Sequence, residues 1–131
     1  MRRFILTYAH WCAFAWAVVI FILCCTPGKY VPTAHWLDLL SFDKLVHAGI
    51  FFTLAALWFL YLIKKARANS GMIAIVLVAC ILYGGFLEIM QAKVFSQRSG
   101  DWADFIANSV GCLLAWFGFH RRKLFRLQYV A

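Results

Sequence analysis

Long apolar runs alternate with short polar connections along this chain, and four of the runs, residues 4–25, 45–63, 72–90 and 102–119, have membrane-spanning length. A helix needs about 20 apolar residues to cross a hydrocarbon core of about 30 Å. None of the runs has the period-two alternation of a barrel strand, and a helix is the other structure that satisfies its own backbone in lipid. The pattern predicts an all-α integral membrane bundle of four transmembrane helices, one domain over residues 1–131. The first run follows Arg2 and Arg3 and stops before Thr26-Pro27-Gly28. It is longer than a signal-peptide core, and no small-x-small cleavage site follows it, so it reads as a retained anchor.

Composition agrees with this class: 65% of the residues are hydrophobic and 14% charged, where a soluble domain carries about 25% charged residues. The charge is asymmetric. Arg2, Arg3, Lys64, Lys65, Arg67, Arg121, Arg122, Lys123 and Arg126 flank one side of the predicted membrane; Lys29, Lys44, Lys93 and Arg98 flank the other. The richer side is the cytoplasmic one, which places both termini inside. All five acids, Asp38, Asp43, Glu88, Asp101 and Asp104, then fall at the outward end. The net charge of +8 is accounted for by orientation and attraction to anionic membrane lipids, and no nucleic-acid partner is expected.

Polar residues gather at that outward end. Asp43, Lys44 and His47 open the second helix at spacings that let them share a face. Glu88 and Gln91 close the third, with Gly84 one turn earlier leaving room for a neighbour. Asp101, Asp104, Asn108 and Gly111 form a stripe down the start of the fourth, and Arg98 lies in the loop before it. A carboxylate within a span costs about 2.5–3.5 kcal/mol at the bilayer centre, so such groups face the bundle and find partners. Arg98 is the expected bidentate partner for one or two carboxylates, and Asp43 and Asp101 can cap helix starts. Capping and pinning account for these residues one at a time. They do not require so many at one level.

The strings "DKLVH" (43–47), "EIMQ" (88–91) and "RSGDWADFIANSVG" (98–111) resemble, in this order, the VanZ-like membrane proteins. The family pattern is Asp-Lys-x-x-His, then Glu-x-x-Gln, then Arg with two spaced aspartates, Asn and Gly. It falls here on Asp43, Lys44, His47, Glu88, Gln91, Arg98, Asp101, Asp104, Asn108 and Gly111; a glycine often found four residues further on is Ala115. The resemblance implies a protein of the bacterial cytoplasmic (inner) membrane acting at the cell envelope, in a family associated with resistance to teicoplanin-type glycopeptides.

Two readings of the cluster stand. In the first it binds or processes an anionic headgroup, such as a lipid-linked phosphate or a cell-wall precursor. His47, Glu88 and Asp104 then form the reactive centre, and Asp43, Lys44, Gln91, Arg98, Asp101 and Asn108 hold the substrate. In the second the chain is a non-enzymatic scaffold or binding module whose cluster is structural. A metal held by His47, Glu88 and Asp104 is the least favoured option, because one histidine without clustered cysteines suits zinc poorly. No cofactor is identified.

The remaining features read as packing or anchoring. Cys12, Cys80 and Cys112 lie inside spans, and the adjacent Cys24 and Cys25 make a poor disulfide pair. His10 sits between helices and His120 starts a basic interfacial end. Trp36 and Trp102 suit the outer interface, and "PTAHWLDLLSFDK" (32–44) includes a short interfacial helix carrying His35 and Asp38. Ala107, Gly111 and Ala115 form a small-residue stripe that admits helix two, helix three or a second copy of the chain as in a homo-oligomer.

Overall fold

The structure, a computed structural model, describes residues 2–25, 42–94 and 101–130, with side chains over 8–24, 43–93 and 101–121. The expected interfacial helix with His35, Trp36 and Asp38, and the loop residue Arg98, lie outside the described residues. All regular structure among those described is helical: α1 Arg2–Cys25, α2 Phe42–Lys64, α3 Ser70–Val94 and α4 Trp102–Val130. Three of the helices, over Asp43–Lys64, Ser70–Lys93 and Trp102–Arg121, are long and apolar enough to cross a membrane.

The first run departs from the expected uninterrupted span. Its backbone leaves the helical region at Tyr8 (φ −110°, ψ 19°), in the sparsely allowed bridge region. The apolar stretch after this break, Tyr8–Cys24, amounts to about 25 Å of helix. α4 departs the other way, since its helix continues beyond the apolar run to Val130.

The helices run alternately up and down, and α2 is central. It packs against all three others, most extensively against α4, whereas α1 and α4 do not touch among the described residues. The core face of α2 carries Phe51, Leu54, Ala55, Phe59 and Leu62, the three-and-four spacing of one helical stripe. Ile75, Val78, Leu82, Phe86 and Ile89 on α3, and Ile106, Leu113 and Leu114 on α4, point outward and are exposed, as lipid-facing positions should be. Trp102, 80% exposed at the start of α4, stands where an interface anchor was expected.

The α2–α4 seam is set by Gly111. A Cβ on this residue would overlap the Ala48 carbonyl oxygen and lie 2.8 Å from its carbon, so the two backbones touch where only glycine fits. The small-residue stripe thus serves α2 of the same chain. Cys112 and Ala115 continue the seam, both buried; the Cys112 thiol reaches the Phe51 carbonyl at 3.9 Å and hydrogen-bonds with Cys80. α3 approaches through Gly84, where a Cβ would meet the Phe51 ring at 3.2 Å and Asn108 Cβ at 3.3 Å.

Two aromatic side chains tie α1 to the rest: Trp16 Nε1 donates to the Ile50 carbonyl at 2.9 Å and the Tyr83 hydroxyl to the Ala17 carbonyl at 2.7 Å. Each supplies its polar atom with a partner that lipid could not. His10 does sit between helices, its ring 5.1 Å from that of Tyr61.

The α2–α3 turn closes α2 with a Schellman motif: Arg67 N–H donates to the Leu62 carbonyl at 2.9 Å and Ala66 N–H to that of Ile63 at 3.1 Å. The left-handed position, φ 53°, is filled by Ala66, where glycine is the usual occupant. Asn69 then caps α3, its Oδ1 accepting from Met72 N–H at 2.8 Å.

Two substitutions test these backbone constraints by thermal unfolding in detergent. Gly111→Ala should cost at least about 1–3 kcal/mol because backbone must move, while Gly118→Ala, which meets nothing within 4 Å, should be neutral or stabilising; equal behaviour of the pair would remove the close approach from the account. Ala66→Gly should stabilise by about 1 kcal/mol through relief of the left-handed strain, and a lower unfolding temperature would contradict that assignment.

Candidate functional site

Three helix ends meet at the end of the bundle opposite the α2–α3 turn. The first turns of α2 supply Asp43, Lys44 and His47, the last turns of α3 supply Glu88 and Gln91, and Asp101 and Asp104 come from the start of α4. Asp101 is the cap of α4. Its Oδ1 accepts from Ala103 N–H at 2.8 Å, and its own N–H donates to Glu88 Oε2 at 3.1 Å, which fastens the start of α4 to the end of α3. Glu88 itself is 9% exposed.

Lys44 is the hub. Its ammonium donates to Asp101 Oδ2 at 2.8 Å and to Asp104 Oδ1, and lies 3.7 Å from Asp43 Oδ2. A cation in the first turn of a helix opposes the helix dipole, so this position depends on the acids around it. Lys44 thus supplies a cationic partner to two carboxylates at the start of α4, while Arg98, expected to pair with one or two of the acids, lies outside the described residues.

His47 faces the remaining oxygens. Its Nε2 is 3.5 Å from Asp43 Oδ1 and 4.0 Å from Asp104 Oδ2, close to both and within hydrogen-bond length of neither. Side chains of His47 and Asp104 are each 14% exposed, whereas Asp43 is 63% exposed. The other ring nitrogen of His47, Nδ1, is buried without a hydrogen-bond partner.

One turn deeper lies Asn108. It follows Asp104 by four residues on α4 and packs against Gly84, which precedes Glu88 by four residues on α3. It is 2% exposed, and its Oδ1 has no hydrogen-bond partner. Gln91 points elsewhere: its amide donates to the Cys24 carbonyl at the end of α1, at 3.4 Å, and so serves α1 more directly than the cluster.

The structure therefore brings together Asp43, Lys44, His47, Glu88, Asp101 and Asp104, with Asn108 beneath them. The atoms suited to a metal ion belong to Asp43, His47 and Asp104, all within 4.8 Å of one another. Asp43 takes the place expected of Glu88, one of whose oxygens is engaged by Asp101 N–H. The signal for Asp43 was its spacing of four from His47.

Residues 11–126, which contain every residue of the cluster, match VanZ/LLP1. The chain belongs to the VanZ/LLP1 family. A curated relative is the uncharacterized protein C11E3.10 of Schizosaccharomyces pombe, 25% identical over 126 residues that take in 93% of this chain and 75% of that protein. No solved structure matches. The described residues of the strings read from the sequence thus sit where three helices converge.

Lys44, and after it the Ala103 N–H, holds the Asp101 carboxyl below the ordinary aspartate range. The native carboxylate binds its proton more weakly than the unfolded one. Asp101 therefore contributes stability above the ordinary aspartate value, and that contribution is lost as pH falls through it toward the depressed native value. Asp101→Asn keeps a capping oxygen, so the gap in unfolding temperature between wild type and this variant should narrow as pH drops through about 4. A gap that stays constant would mean that the Lys44 pairing adds nothing to stability.

Proposed function

We propose that this VanZ/LLP1 protein lies in the cytoplasmic membrane as four spans with both termini inside, and that its cluster, opening outward, binds the phosphate-bearing headgroup of a lipid-linked molecule. The observation carrying this reading is the incomplete pairing of the cluster. A network kept for structure alone satisfies its own members, yet buried His47 Nδ1 and Asn108 Oδ1 have no partners beneath a set of four carboxyl groups and one lysine. His47 is the group suited to proton transfer. Asp43 and Asp104 flank it, and Glu88 and Asp101 hold the helix ends around it.

The scaffold reading draws on a different observation, that Lys44 and Asp101 are already engaged within the protein. The two readings separate in one experiment. Glu88→Gln and Asp104→Asn are near-isosteric neutral variants, and both should keep the wild-type unfolding temperature within a few degrees while losing at least about tenfold in affinity for a polyprenyl phosphate, followed in detergent by tryptophan fluorescence. Large losses of unfolding temperature with unchanged binding would transfer the cluster to the structural role.

A further inference from the structure

We propose that Asp43 Oδ1, His47 Nε2 and Asp104 Oδ2 bind a divalent cation of manganese or calcium size, and that this cation supplies positive charge for holding an anionic headgroup. The second half of this statement rests on the function proposed above; the cation site stands without it.

Lys44 and His47 divide the carboxylate oxygens between them. Lys44 takes one oxygen from each of two acids, Asp104 Oδ1 and, at 3.7 Å, Asp43 Oδ2. The opposite oxygen of each is turned toward His47, at 4.0 Å for Asp104 Oδ2 and 3.5 Å for Asp43 Oδ1. Lysine thus holds the Asp104 carboxylate by a hydrogen bond and lies near one oxygen of Asp43, leaving the other oxygen of each beside the imidazole, as groups behind metal ligands commonly do. Those spacings are too long for the imidazole to hydrogen-bond either acid. They suit three atoms around a common centre: oxygen ligands of calcium lie at about 2.3–2.6 Å, so atoms up to 4.8 Å apart can share one ion. Magnesium, at about 2.0–2.1 Å with octahedral demands, would require the set to contract. One imidazole with two carboxylates is a mixed donor set, which suits manganese well.

A second observation lies under the cluster. Asn108, 2% exposed, carries an Oδ1 with no hydrogen-bond partner, and it stands one helical turn below Asp104 on the same stripe. An unsatisfied buried oxygen there has a use as a further ligand or as the acceptor for an ion-bound water. The charges agree. Among the described residues, Lys44 pairs with Asp43, Asp101 and Asp104, an excess of negative charge that attracts a divalent cation.

The test uses tag-free full-length protein in phosphate-free detergent buffer. Manganese binding is followed through the electron paramagnetic resonance of the free ion, and the bound ion is then probed by pulsed measurement for coupling to an imidazole nitrogen. One ion per chain with nitrogen coupling is expected. His47→Gln should abolish the coupling and weaken binding at least about tenfold, Asp104→Asn should weaken it similarly, and Asp101→Asn, which is no ligand here, should weaken it less. The site is overturned if wild type binds no manganese up to about 1 mM, if the bound ion shows no nitrogen coupling, or if His47→Gln retains it; the wild-type signal decides even where a variant fails to fold. Polyprenyl phosphate binding with manganese and with chelator then tests the second half. Binding that falls at least tenfold in chelator supports the bridging role, and equal binding overturns it while leaving the ion site. Manganese bound through His47 with no phosphate binding in either condition removes the headgroup reading alone.

Discussion

The contact between Gly111 and the Ala48 carbonyl sets the distance between α2 and α4, and the other packing relations follow from it. In lipid no hydrophobic gain draws one helix to another, so close backbone approach and complementary surface have to do so. The approach on α4 comes one position before Cys112 and one turn before Ala115, both buried along the same seam. On α2 it is immediately preceded by His47. A side chain at position 111 would push α4 away, and with it Asp104 and the partner of Lys44. Tight apolar packing and the polar cluster are therefore two ends of one contact.

The cluster shows how a membrane bundle tolerates charge. Glu88 bonds a backbone N–H, Asp101 caps a helix and pairs with Lys44, and Asp104 shares the same ammonium. Each of these three acids has a partner drawn from another helix or from a helix terminus, so they also bind the helix ends together. Among the described residues of the cluster, the buried atoms without partners are the Asn108 amide oxygen and the His47 ring nitrogen Nδ1. Those are cheaper to leave open, and they are the ones a ligand or ion can use.

Much of this was legible in the sequence. The apolar runs give the helices, and the three strings that resemble VanZ-like proteins name the residues that converge. The break at Tyr8 was not legible, because it falls within an unbroken apolar run that contains neither proline nor glycine. Nor was the direction of Gln91: spacing placed it on the Glu88 face, but only the position of the α1 terminus decides that its amide meets the Cys24 carbonyl. Lys44 shows a third limit. Its spacing within α2 placed it on the face of Asp43 and His47, but only distances between helices, which no spacing within a helix encodes, bring it to Asp101 and Asp104.

The attachment of α1 has its own consequence. This helix leans on α2 and, more lightly, on α3, reaches no part of α4 among the described residues, and is fastened by two aromatic hydrogen bonds and the Gln91 amide. The assembly thus divides into a three-helix body that holds every acid of the cluster and a lateral helix that holds none. Local opening follows the weakest boundary, so amide exchange should be fastest in α1 and along its seam with α2. The bundle can breathe sideways there while the geometry around Lys44 stays fixed.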